Sequence, residues 1–204
     1  MKTLLLVPLA IGALVMAGCD NPKDVGKANF LKVINEHLKS KKLCVDPLKW
    51  VMVAGNAGNG YPVSVTMKVA ELDLFVHAGL LTSTPAMVVP VLSTEAKPVA
   101  VKGTIFNLTE KGKQSDEGPP NHRFCYGVPE ATKVLEYTEP GPDLLGRRMT
   151  QVTFEVGVKD FADWANDPVV NQRFKTVKPG TQGMAALFLT SEGWHTQQEN
   201  IYFK

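Results

Sequence analysis

Apolar positions recur along this chain with three different rhythms, and each rhythm predicts an element. Leu4 to Met16 is a nearly continuous apolar run, interrupted by Pro8 and Gly12. Phe30, Val33, Ile34 and Leu38 then follow at three- and four-residue steps, the spacing of an amphipathic helix, with Asp24 placed as its N-cap. The lysines that close this stretch, Lys39, Lys41 and Lys42, complement a helix C-terminus. Val69, Leu72, Phe75, Val76 and Leu80 repeat the helical step, and Gly79 supplies a stop. From residue 81 onward the period falls towards two. Residues 86–113 read as strands interrupted by Pro90 and Pro98, and residues 114–121 as a loop. "RFCYGV" and "TKVLEYTEP" read as two strands, "GPDLLG" as a turn, and Met149, Val152, Phe154, Val156 and Val158 as the clearest strand. "FADWANDPVVNQRF" reads as short helical turns limited by Pro168, and "GMAALFLTSEGWHT" as a strand, a turn and a final aromatic. The order predicts an α+β chain, helices first and a mostly antiparallel β-sheet after.

The first eighteen residues have a basic start, an apolar run too short for a membrane span of roughly 20 residues, and small residues at the end. Leu14-Val15-Met16-Ala17-Gly18-Cys19 resembles the bacterial lipobox, with Met16 where leucine is usual. The resemblance implies a signal peptide at 1–18 and a cysteine, Cys19, lipidated on sulfur by a palmitate-type chain. It also implies a tether at 19–23 and a body facing the periplasm. Asp20 after that cysteine implies the inner membrane; the outer membrane is the alternative.

Loss of the signal takes Lys2 from 22 Lys+Arg against 20 Asp+Glu, leaving a formal +1. So balanced a body carries no electrostatic footprint for nucleic acid. Once Cys19 is assigned to lipid, Cys44 and Cys125 remain, an even pair suited to a disulfide in an oxidising compartment. Such a bridge closes a loop of about 82 residues, which the chain-entropy model values at about 4.5 kcal/mol. His122 and Cys125 have ligand-like spacing, but no second pair accompanies them, so no metal site is assigned.

"LFVHAGLLT" (74–82) followed by "FNLTEKGK" (106–113) resembles the end of a recognition helix and the second wing strand of winged-helix proteins. The resemblance covers residues 66–113 and implies a helix turning into a β-hairpin, with Gly112 permitting a tight turn and Thr109 bonding locally to the backbone. It does not extend to DNA reading. Residues 66–80 set Lys68 and His77 against Glu71 and Asp73, and acids repel a phosphate backbone.

No nucleophile elbow, zinc-protease motif or phosphate loop occurs. "AGNAGNGYP" (54–62) reads as a loop, and Asn107-Leu108-Thr109 is a glycosylation sequon by pattern alone. His37, His77, His122 and His195 are scattered, and Glu136, Glu139 and Asp143 form an acidic group around a turn. No catalytic residue and no cofactor are assigned. Tyr126, Tyr137, Phe161, Trp164 and Trp194 fall near strand ends; Tyr126, Tyr137, Trp164 and Trp194 are candidates for contacting a partner, with core packing as the alternative. Residues 24–198 read as one domain with sub-halves at 24–115 and 121–198. Residues 199–204 resemble a tobacco etch virus protease site, apart from Ile201 and Lys204, and read as a tail or cleavage-site remnant. The expectation is a membrane-anchored periplasmic lipoprotein acting as a non-catalytic binding module for another protein, an envelope component or a toxin. The alternatives are a cell-envelope hydrolase and a carrier of lipid or small molecules.

Overall fold

The computed structural model describes residues 21–46, 60–64, 69–88, 99–118, 123–197 and 200–204. The apolar run, Cys19, most of the Gly/Asn loop, Pro90, Pro98 and His122 lie outside them. No helix among the described residues is long and apolar enough to cross a membrane.

The chain is α+β and its sheets are antiparallel. Helix α1 (Lys27–Leu38) is followed by a short strand β1 (Leu43–Val45) and by β2 (Gly60–Ser64). Helix α2 (Val69–His77), strands β3 (Leu81–Val88) and β4 (Val101–Leu108) and helix α3 (Glu110–Ser115) come next. The remainder is β5 (Phe124–Tyr137), β6 (Gly141–Pro142), β7 (Arg148–Lys159), a 3₁₀ turn (Asp163–Asn166), α4 (Pro168–Phe174), β8 (Gln182–Thr190), β9 (Gly193–His195) and β10 (Ile201–Phe203). The large sheet runs β1-β5-β7-β8-β10, with β6 added to β7 and β9 to β8; the small sheet runs β2-β4-β3.

Alternation along the strands explains the large sheet. Thr150, Val152, Phe154 and Val156 of β7 and Gly183, Ala185 and Leu187 of β8 point to one buried face. Phe30, Ile34 and Leu38 of α1 pack into the same cluster, and each fully buried phenylalanine or leucine contributes about 1.5–3 kcal/mol. Phe154 stands opposite Gly183, and its ring fills the space a Cβ there would take. A second cluster, built from α2, Phe106, Phe124, Tyr126 and Trp164, joins the small sheet to the N-terminal end of β5. Val158, Val177 and Phe203 pack against both.

Several details depart from the sequence reading. The two strands expected at 123–128 and 132–140 are one, β5, which runs through Gly127 and Pro129. Beyond Gly127 strand β1 no longer lies alongside, so the missing N–H of Pro129 costs no ladder bond on that edge. Ala131, two residues on, turns its N–H and C=O to the same edge. Both are satisfied by the Asn35 side chain, which accepts from the N–H at 2.8 Å and donates to the carbonyl at 2.8 Å.

Helix α1 begins at Lys27 with Gly26 as its cap, because Asp24 is instead folded into a turn in which its N–H donates to Asn21. Strand β1 pairs with β5, and α1 packs against β5. Residues 201–203 form β10, which pairs with Gly183–Ala185, and Ile201 and Phe203 pack on the core.

The last departure concerns "LTEKGK". Gly112 is not in a hairpin turn. Thr109 ends β4 and caps α3, accepting from the Gly112 N–H at 2.9 Å, and Gly112 is helical and buried. The Thr109 hydroxyl donates to Gly79 at 2.7 Å, its N–H donates to Leu80 at 3.0 Å, and Lys111 Nζ donates to Ala78 at 3.0 Å. The two short motifs thus bind one another. Helix α2 stops at Gly79, whose φ is +74°, and its exposed carbonyls are taken up by the start of α3.

Candidate functional site

Three sets of residues could carry chemistry or contacts: the cysteine pair with its neighbours, the aromatic and titratable candidates, and the exposed apolar positions.

Cys44 on β1 lies directly opposite Cys125 on β5, and the two are joined by a disulfide. Beside it the Glu117 carboxylate accepts from Arg123 Nε at 2.6 Å and Nη2 at 2.8 Å. The hydrogen bond to Arg123 holds the Glu117 carboxyl below its ordinary value. Both sulfurs and that carboxylate lie within 4.8 Å of one another, but the disulfide leaves no thiolate to ligate and the carboxylate is already bound in a two-pronged ion pair. In its oxidised form this cluster fastens β1 to β5.

The aromatic candidates are mostly interior. Tyr126, Trp164 and Trp194 are 4, 3 and 4% exposed, and Tyr137 is half-buried. Tyr126 meets Phe161 and Trp164 edge-on, and its hydroxyl accepts from Val177 N–H at 3.0 Å. Burial pushes its phenol up, against the smaller effect of that bond. Trp164 donates its indole N–H to Ser115 at 3.1 Å, and Trp194 donates to the carbonyl of Lys23 at 3.1 Å. Phe30 sits between Tyr137 and Trp194 at 5.1 and 5.2 Å. Of the two readings, core packing fits Tyr126, Trp164 and Trp194, whose polar tips find partners within the chain, while Tyr137 remains partly exposed.

The titratable candidates are dispersed. His37 is on α1, His195 is exposed on β9, and His77 on α2 lies 3.4 Å from Asp167, the N-cap of α4. Glu136 and Glu139 are exposed, whereas the Asp143 carboxylate is turned into its own loop and bonded to Arg147. Among the described residues, the cysteine–glutamate cluster is the one group of three potential metal ligands.

What the surface does display is apolar. In the β3–β4 hairpin the face that carries Leu81 and Phe106 into the core continues outward through Pro85 to Met87, which is 61% exposed. Val101, which pairs with Val88, is exposed on the opposite face, and Val99, before the strand, is exposed as well. Sequence reasoning missed these because two valines and a methionine beside prolines look like ordinary strand residues. Only the pairing register shows that they extend past the core. The hairpin is anchored at its base by the α2–α3 joint, so the exposed positions sit on a firm arm. No protein-family model matches the chain, and no curated protein or solved structure matches it either.

Proposed function

We propose that this chain is a lipid-anchored protein facing the bacterial periplasm, tethered at Cys19, and that its body is a non-catalytic binding module for another protein. The partner class is an envelope component or a toxin. One observation supports the reading: Met87 at the far end of β3, and Val99 and Val101 around the start of β4, are exposed to solvent on a hairpin whose base is bonded to the start of α3. Exposed apolar side chains grouped on one arm favour association with a partner that covers them. The winged-helix likeness of residues 66–113 belongs to the same proposal, as a shape that offers a hairpin without a DNA-reading helix. The anchor reading rests on the lipobox, and Asp20 favours the inner membrane.

The arm sits well for this role. The small sheet joins the large one at the Phe124 end of β5, while the chain leading from the tether reaches the body at the Trp194 end. Strand β5 separates those ends by about 40 Å at roughly 3.3 Å per residue. The competing hydrolase reading needs convergent acids or histidines, and the Asp143 carboxylate is already committed to a turn.

The test is capture from detergent-solubilised envelopes with the wild-type chain and with Met87→Glu/Val99→Glu. Recovery of one stoichiometric protein that the double variant loses supports the proposal. Recovery of none with the wild type sinks it.

A further inference from the structure

We propose that the turn carrying Leu144 and Leu145 is a second membrane contact, inserted into the lipid interface beside the tether. The proposal rests on the lipid-anchor reading for its orientation.

The turn combines exposure with rigidity. Leu144 is 105% and Leu145 77% exposed, more than any other large hydrophobic side chains among the described residues. Flexible loops can fold such side chains away; this one cannot. Asp143 Oδ1 accepts from the N–H of Leu145 at 2.9 Å and of Arg147 at 2.8 Å, and its Oδ2 accepts from Arg147 Nε at 2.7 Å. The Asp143 N–H donates to the Arg147 carbonyl at 2.8 Å, and Gly146 adopts φ +76° to close the loop. Two leucines are therefore held outward in advance, and little ordering is needed when they enter an apolar phase.

The position of the tether identifies that phase. Pro22 lies over Gly193, and its carbonyl accepts from the Trp194 N–H at 3.0 Å. Trp194 pairs with Leu189 on β8, and Phe188 pairs with Met149 on β7. In that antiparallel register Leu189 and Thr190 stand level with Arg148 and Arg147. The tether and the Leu144–Leu145 turn consequently leave the same end of the sheet. Cys19 is three residues before Pro22, a reach of at most about 10 Å. A chain acylated at Cys19 has this end pressed to the bilayer, and the leucines meet it first.

Charge at that end is mixed. Lys23, Arg147 and Arg148 are offset by Asp24, Glu139, Asp143 and Glu192, and Arg147 is stacked over Phe188 at 4.5 Å. Burial of the leucines, rather than attraction to anionic headgroups, is the driving term.

The experiment places the full-length chain in phosphatidylethanolamine–phosphatidylglycerol vesicles containing lipids with a quencher near the headgroup. Leu144→Cys carries an environment-sensitive dye, attached without reductant, and Pro179→Cys, on a turn at the opposite end, serves as the reference. Mass analysis of the N-terminal peptide reads acylation of Cys19 separately. Quenching at 144 several-fold greater than at 179 is the expected result, since insertion reaches about 5–10 Å into the headgroup boundary. Equal quenching at the two sites overturns the proposal. So does a dye at 144 that responds in native envelopes yet not in pure lipid, which assigns the turn to a protein. Preferential quenching at 144 with Cys19 unacylated keeps the contact and removes the anchor.

Discussion

Gly112 stands so close to the carbonyl oxygen of Leu80 that a Cβ built on it would collide with that oxygen. The backbone of the turn that follows α2 meets α3 here without a side chain between them, and the β3–β4 hairpin springs from the joint. Gly112→Ala must push the helices apart, and destabilisation of about 1–3 kcal/mol is expected for such overpacking. Thr109→Val, which removes the cap and the bond to Gly79, should cost about 1 kcal/mol. Urea unfolding of each variant checks this, and because both sit in one joint, the double variant should fall short of the sum.

The Asn35 side chain closes the β5 edge where β1 has ended. Asn35→Leu leaves the N–H and carbonyl of Ala131 without partners in a half-buried place, at a cost of about 1–3 kcal/mol. Asn35→Asp retains the acceptor alone, so only the N–H stays satisfied and an intermediate loss is expected. Chemical denaturation of the pair, read by tryptophan fluorescence, separates the two.

Much of the fold was legible because periodicity reports burial. The faces of α1, α2 and β7 followed from spacing, and the cysteine pairing followed from counting. Gly127 and Pro129 misled because both punctuate chains, and only the pairing shows that this edge of β5 is free beyond Gly127. The aromatics left two readings open, core packing and partner contact. Trp164 and Trp194 lie beside turns in sequence, yet Ser115 and the Lys23 carbonyl, 49 and 171 residues away, satisfy their indoles. Such long-range partners leave no trace in a local pattern. The leucine turn was visible as "GPDLLG", but its exposure and its place at the same end of the sheet as Pro22 depend on sheet register.

Reduction of Cys44–Cys125 opens a link spanning 81 residues, and the entropy gained by the unfolded chain is worth about 4.5 kcal/mol as an upper figure. Since β1 makes only three register pairs with β5, it should detach first. Denaturant midpoints with and without a dithiol, together with amide exchange at Leu43 and Val45, are expected to show lower global stability and an early loss of protection in β1. An unchanged midpoint would leave the bridge without a stabilising role.

Asp143 makes the leucine turn pH-dependent. Burial opposes ionisation, but the bonds from Arg147 and Leu145 prevail and hold the carboxyl below its ordinary value. A depressed folded-state pKa means that the ionised carboxylate stabilises the turn above the unfolded pKa of about 3.9. That contribution is lost as pH falls through the lower folded value. Amide proton shifts of Leu145 and Arg147 should therefore be constant from neutral pH to about 4 and move only under stronger acid. Asp143→Asn keeps an oxygen acceptor but cannot titrate. Its two amide shifts should already be displaced at neutral pH, because the charge assistance from Arg147 is gone, and should stay flat on acidification. If the wild-type shifts move at the pH of an ordinary carboxylate instead, the Arg147 clamp is not holding the turn.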